Sequence, residues 1–401
     1  MKSSAVSARE IIDILTRLVQ RDSSNPPGDV RGPAEVIVEV LDKEGIGFEI
    51  LESKPGVLNV VARLEGSRRP GPEGLRTLLL NGHLDTVPPG SGWTVDPFGA
   101  EVRGGYLFGR GTTDMKAGVA ASLMSVVDLR RRGCPFAGSL VFTAVGDEEF
   151  HSQYGTKWLI RRGLAADCAV VCEPTNLDLC LGNRGLVMID IVTRGVASHA
   201  GRPGLGKNAI STAARIVHAL ESLRFEEGRD GRFKDPVGAL SVVGVHGGAR
   251  INVIPDRCEI SLDRRLMPKE NSAEAISQVE RAIEAATGVR PAAADQDAAE
   301  IGLASEVWHE PFWIEEEHPF VRQCVSVYRA AFGRDPVVEG KSAGTDASHL
   351  TSMARIPTVI FGPGDYRRSH TVDECVELSQ LLPALGFYSG LVESVLKGAP
   401  A

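Results

Sequence analysis

Apolar residues along this chain fall into short continuous runs separated by longer helical patterns. Val57–Leu64, Arg76–His83 (RTLLLNGH), Ser139–Val145 (SLVFTAV) and Cys168–Cys172 read as buried strands. Between them, Met115–Arg132 places Val119, Leu123, Val126 and Val127 at helical spacing, and Thr156–Arg161 begins another helix. Buried strands alternating with helices predict an α/β fold, a mixed sheet covered on both faces. The opening MKSSAVSAREIIDILTRLV carries Arg9, Glu10, Asp13 and Arg17 inside its apolar stretch. It predicts an amphipathic first helix and disfavours a secretory signal, whose apolar core is unbroken.

The character changes after Leu181. Strands at Leu186–Thr193, Ala239–Val245, Ile251–Ile254 and Glu259–Leu266, with helices at Asn208–Leu220 and Ser272–Ala286, resemble a separate α+β sandwich. Pro291–Asp295 reads as a linker. The end returns to α/β, with helices at Pro319–Phe332 and after Thr345, a strand at Thr358–Phe361 and a closing helix from Val376. The expected organisation is one domain (1–181 and 293–401) interrupted by an inserted one (182–292).

Composition narrows the class. The chain has 401 residues, 43% hydrophobic and 24% charged, with a formal net charge of −8. That is the balance of an ordinary globular protein and not of a disordered chain. No basic patch argues for nucleic acid; Arg130, Arg131 and Arg132 end a helix, where they complement its dipole. No apolar run is long enough for a transmembrane helix. Seven cysteines, an odd number with no CxxC pair, argue against a disulfide scaffold and for reduced thiols in the cytoplasm.

The candidate chemistry sits where strands end. In Asn81-Gly82-His83-Leu84-Asp85, His83 and Asp85 point the same way, and a carboxylate two residues on is placed to orient a metal-bound imidazole; a surface turn is the bland alternative. Gly109–Lys116 (GRGTTDMK) puts Asp114 at the start of a helix, as a ligand or merely a cap. The loop has neither the GxxxxGK[ST] nor the GxGxxG spacing of a nucleotide site. Val145–Glu149 ends a buried strand in three acids, which a positive centre would relieve, unless the turn is simply solvated. Glu173 ends another strand, and His370 follows a Gly/Pro loop. Ligands in open α/β sheets collect at the carboxyl ends of strands. His83, Asp114, Glu149, Glu173 and His370 are too many ligands for one zinc and suit two metals sharing a carboxylate.

The ordered set NGHLDTVP, GRGTTDMKAG, GDEE, CEPT, ASHAG, INVIPDRCEISLDRRLMP, AGTDASHL and SHTVDE resembles the acetylornithine deacetylase, succinyl-diaminopimelate desuccinylase, aminoacylase and carboxypeptidase G family of dinuclear zinc amidohydrolases. The resemblance implies a zinc-peptidase-like catalytic domain, a central mixed sheet flanked by helices, with an inserted α+β lid and dimerisation domain. It implies two divalent ions, Zn2+ first, with Co2+ or Mn2+ as alternatives. His83 and Glu173 would hold one and His370 and Glu149 the other, with Asp114 bridging and Asp85 orienting His83. Glu148 would be the general base for a metal-bridging hydroxide, and His199, reaching a partner's site in a homodimer, would stabilise the oxyanion. Asn252 and Arg265, with Arg264 as fallback, would bind the substrate carboxylate, and Gly344 and Thr345 would close the same end. The implied substrate is an N-acyl amino acid or a short peptide with a free carboxylate. Carboxypeptidase, dipeptidase, other C–N hydrolase and silent metal-binding readings stay open. Phe150–Tyr154 departs from the family's small, Gly-rich stretch, and Arg367-Arg368 would favour an anionic acyl group or be a solvated pair.

Overall fold

The computed structural model describes residues 4–69, 75–294 and 299–397. The chain divides into two compact units, residues 1–182, 314–339 and 345–401, and residues 183–313 and 340–344.

The first unit is built on a mixed sheet. Its strands lie in the order Gly47–Lys54, Val57–Glu65, Ser139–Val145, Thr77–His83, Cys168–Val171, Thr358–Ile360 and Leu179–Asn183. The four strands from Ser139–Val145 to Thr358–Ile360 run parallel, so their carboxyl ends meet at one edge. Each is a short run of β-branched and leucine residues, buried along nearly its whole length, as a sheet covered on both faces requires. Helices flank the sheet. Ala8–Val19, Ala117–Arg131 and Leu381–Val395 pack on one another, and Asp346–Ser352 packs on the strands at Cys168–Val171 and Thr358–Ile360. Every residue from Ala117 to Leu129 is buried, which explains why that helix carries so little polarity. The first helix opens with a capping box: Ser7 Oγ accepts from the Glu10 N–H, and Glu10 accepts from the Ser7 N–H at 2.8 Å.

The second unit holds a five-stranded sheet in the order Ala239–Gly247, Arg257–Leu266, Gly185–Arg194, Ile301–His309 and Ala292–Ala293. Its core joins Ile189, Ile191, Ile260 and Leu262 to Ile216 and Leu220 of helix Ala209–Glu221 and to Val279 and Ile283 of helix Ser272–Thr287. This unit extends past residue 292 because Ile301–His309 pairs antiparallel with Gly185–Arg194. Within the expected linker, Ala292–Ala293 pairs with Gly302 and Leu303, and Asp295 lies outside the described residues.

Other expectations shift. The helix expected from Met115 begins at Ala117, after a widened turn over Thr112–Lys116. The closing helix begins at Leu381 rather than Val376; Cys375–Glu377 is instead a strand paired with Tyr106–Phe108, and the buried Cys375 and Val376 are part of its core contacts. All seven cysteines are unpaired and buried, Cys168 and Cys172 among them.

Helix and strand approach most closely at Gly118. A Cβ there would lie 1.8 Å from the Cys172 carbonyl oxygen, one residue before Glu173. Gly118→Ala is therefore expected to destabilise the protein by about 3 kcal/mol or more, the upper range for overpacking. Gly47→Ala, where a Cβ meets nothing within 4 Å, serves as the control and should change stability by less than about 0.5 kcal/mol. Urea unfolding of both variants checks this; equal midpoints would show that the contact is not tight.

Candidate active site

The carboxyl edge of the parallel strands gathers every acid and both histidines singled out as metal ligands or base. His83 is the last residue of its strand and is almost fully buried. Its Nε2 lies 3.2 Å from Asp114 Oδ1, 3.6 Å from Glu173 Oε1 and 3.8 Å from Glu148 Oε2. His370 faces the other side of Asp114. Its Nε2 is 3.3 Å from Asp114 Oδ2 and 3.1 Å from Glu149 Oε2. Asp114 thus offers one carboxylate oxygen to each imidazole. It is no helix cap: its φ and ψ of −114° and 99° depart from the helical path, and the helix beginning at Ala117 has no side-chain cap. The acids after Val145 are no solvated turn either, since Asp147 and Glu148 are buried.

Asp85 behaves differently from the simple expectation. The Nδ1 of His83 is 2.9 Å from the Asp85 backbone carbonyl and 3.6 Å from its carboxylate, so the main chain holds the ring. The carboxylate accepts the backbone N–H groups of Glu148 and Glu149, both at 3.1 Å, and the Asn25 side-chain amide at 2.9 Å. Asp85 therefore fixes the segment that presents both glutamates.

Burial and mutual repulsion set the electrostatics. Burial pushes Glu148 well above the usual carboxylate range, with Glu173, Asp346 and Glu149 adding like charge while His83 opposes. Burial raises Glu149 to about 7 against the pull of His370. Burial disfavours charge on both histidines, yet the surrounding acids win. His83 is held well above its ordinary value, and His370 rises to about 11 through Asp114 and Glu149.

This donor set fits a pair of divalent cations. His83, Asp114 and Glu149, and likewise His83, Glu148 and Glu173, each bring ligand atoms within 4.8 Å of one another. Imidazole nitrogens aimed at carboxylate oxygens, with a two-sided carboxylate between them, are the N/O donors that zinc and its neighbours prefer.

Sequence reasoning passed over several residues here. Asp346 accepts from the hydroxyls of Ser152 at 2.5 Å and Thr156 at 2.6 Å, tying the Phe150–Tyr154 stretch to helix Asp346–Ser352. Burial raises the Asp346 carboxyl to about 6. Thr345, expected as a closing residue, is buried and accepts the Ala347 N–H as the cap of that helix. Arg367 is held by Asp365 through contacts of 2.7 and 3.0 Å, and Arg368 lies 2.6 Å from Cys375 Sγ. Ser152 and Thr156 stand 194 and 190 residues from Asp346, and nothing in the sequence joins residues so far apart.

The second unit carries the remaining candidates. His199 pairs with Val253 across a two-residue antiparallel ladder, and the Ala200 N–H donates to the Asn252 carbonyl, so His199 and Asn252 share one corner. His199 Nδ1 accepts from the Gly201 N–H at 2.9 Å. Arg265 is partly exposed and forks onto Asp263 at 2.8 and 2.9 Å. Arg264 is fully buried, pairs with Glu270 and stacks 3.9 Å from the Phe225 ring centre, which makes it a core residue. A Cβ on Gly344 would fall 2.3 Å from the His309 ring, so only glycine fits.

The profile of Peptidase family M20/M25/M40 matches residues 79–394, spanning every one of these positions. The chain belongs to that family. An M20 chain is a hydrolase of amide bonds, and the family is metal-dependent. Among curated relatives, the succinyl-diaminopimelate desuccinylase of Paracoccus denitrificans is 30% identical over 392 residues, covering 95% of this chain and 97% of the relative. Among solved structures, the aminopeptidase PepT of Bacillus cereus superposes with a TM-score of 0.76 at 21% identity, covering 98% of this chain and 100% of that one. The YXEP protein of Bacillus subtilis, described as a dinuclear metal binding peptidase from the M20 family, gives 0.71 at 16% identity, with 98% and 99% covered. These two likenesses establish the M20 fold, the central mixed sheet flanked by helices.

Because His370 holds its proton up to about 11 and Glu149 up to about 7, a cation taking both must displace protons. The affinity of the metal-free protein for Zn2+ should therefore rise with pH, roughly tenfold per unit for each proton released. Calorimetry in buffers of different ionisation enthalpy at pH 7 should count at least one proton per protein. A count of zero would mean that neither His370 nor Glu149 gives up a proton when the metal binds.

Proposed function

We propose that this chain is a dinuclear-metal amidohydrolase that removes the acyl group from N-acyl amino acids bearing a free carboxylate. The observation that carries the reading is Asp114, whose two oxygens lie 3.2 and 3.3 Å from the imidazoles of His83 and His370. The desuccinylase name of relatives covering nearly the whole chain supports the N-acyl substrate class.

In this reading His83 and Glu173 would hold one ion and His370 and Glu149 the other, with Asp114 placed to serve both. Two divalent ions, Zn2+ foremost and Co2+ or Mn2+ as alternatives, would supply Lewis acidity at the scissile carbonyl and a water of lowered pKa. Glu148 takes the proton from the attacking water and later delivers it to the leaving amine. Asp85 keeps that glutamate on station by gripping its backbone N–H at 3.1 Å. The second unit acts as lid and dimerisation module, with His199 stabilising the oxyanion across a homodimer. Arg265, its fork already matched to a carboxylate at Asp263, and Asn252 receive the substrate carboxylate. The described residues contain no helix long and apolar enough to cross a membrane, and the unpaired, buried cysteines support a cytoplasmic setting.

The test is incubation of Zn2+- or Co2+-loaded protein with N-succinyl, N-acetyl and N-formyl amino acids, dipeptides and aryl amides, with products identified by mass spectrometry. Release of a free amino acid from an N-acyl substrate is expected. Turnover confined to dipeptides would replace the reading with a peptidase. Glu148→Gln should lower kcat by roughly 10^2–10^4-fold while two ions stay bound. An unchanged kcat would remove Glu148 from the role of base.

A further inference from the structure

The segment that follows His370 does more than deliver that histidine. Four residues on, Glu374 is fully buried, and its carboxylate is divided between two tasks. Oε1 accepts two successive backbone N–H groups, from Thr113 at 2.8 Å and from Asp114 at 3.0 Å. Oε2 accepts from Arg110 Nη1 at 2.5 Å, and Arg110 is itself buried. The arginine is anchored from behind: its Nη2 reaches the Pro89 carbonyl at 3.3 Å, and its guanidinium lies 5.2 Å from the Trp93 ring centre. Two further bonds tie the same segments together, from Thr113 Oγ1 to the Cys375 carbonyl at 2.8 Å and from the Gly109 N–H to the Glu374 carbonyl at 2.9 Å.

A buried ion pair contributes little net stability compared with apolar residues of the same volume. Its value here lies in what the carboxylate grips. We propose that Glu374 and Arg110 are positioning residues, which fix the backbone at Thr113–Asp114 so that the Asp114 carboxylate stands between His83 and His370 and serves both metal ions at once. The proposal rests on the two-metal reading above. A glutamine at 374 has one acceptor where two are needed: its carbonyl satisfies either the two N–H groups or the arginine, and its NH2 group opposes the other. Asp114 would then lose its set between the imidazoles, while His83, Glu173 and their elements stay in place. The second ion, dependent on both Asp114 and the segment carrying His370, should suffer most.

The experiment is a Mn2+ titration of metal-free wild type, Glu374→Gln and Arg110→Lys. Calorimetry gives the two affinities, electron paramagnetic resonance the exchange coupling of a dinuclear pair, and thermal unfolding the fold. Wild type should bind two coupled ions. Glu374→Gln should keep the first within about threefold, weaken the second at least about thirtyfold and lose the coupling signal. Arg110→Lys keeps the charge but not the planar fork, and should fall between the two. Wild-type affinities and coupling in both variants would overturn the proposal and leave the two-metal reading intact. Equal weakening of both ions with a matching loss of thermal stability would overturn it too, by showing a merely structural pair. Should Glu374→Gln not fold, the ratio of the two affinities in Arg110→Lys decides. Wild type that takes up one ion at most would overturn the two-metal reading itself, and the proposal with it.

Discussion

Carboxylates brought together where water is scarce repel one another, and the architecture around the strand ends is organised by that repulsion. Asp114, Glu148, Glu149 and Glu173 converge on two imidazoles, with Asp85 and Asp346 close behind. Hydrogen bonds alone do not quiet such a set; burial drives Glu148 and Glu149 towards their neutral forms, while the neighbouring acids, against burial, favour the protonated forms of His83 and His370. The protein tolerates the arrangement because backbone donors and hydroxyls are spent on the supporting acids. Asp85 takes three donors, Asp346 two hydroxyls, and Glu374 two N–H groups and an arginine. The acids nearest the imidazoles converge on one place, the arrangement of a site suited to positive charge.

The sheet supplies the geometry that makes this convergence possible. Four parallel strands end at one edge, and the residue at or just past three of those ends is His83, Glu148–Glu149 or Glu173. Close packing beneath them leaves no room for adjustment, since Gly118 meets the carbonyl preceding Glu173 and a Cβ on Gly82 would meet Val119 at 2.8 Å. Rigid elements with short exits position a side chain better than long loops do.

Much of this was readable from residue order. An apolar run that stops in an acid or a histidine marks a strand end as a candidate site, and His83, Glu149 and Glu173 were visible on that ground. Helix Pro319–Phe332 and strand Ser139–Val145 matched the pattern to the residue, because proline and glycine punctuate the first and an unbroken buried face defines the second. The supporting layer was not readable. Arg110 and Glu374 stand 264 residues apart, and neither spacing nor periodicity connects them. Val376 was misread as helical because a three-residue strand in an antiparallel patch leaves too few positions to show a period of two. The role of Asp85 escaped for another reason: its side chain serves the backbone of a different strand exit, while its own carbonyl serves the neighbouring histidine.

The wide sequence separation of His370 from the acids it faces has a consequence for biosynthesis. His370 follows its partner Glu149 by 221 residues, which at common ribosomal speeds is a delay of roughly ten to forty seconds. Throughout that interval the nascent chain carries the acids and His83 without the segment that balances Asp114 and Glu149. The Thr358–Ile360 strand that extends the parallel edge, and Glu374 that braces Asp114, arrive in the same late stretch. The acidic centre can thus close only after the intervening unit has been made, because its last pieces lie beyond that unit in the chain.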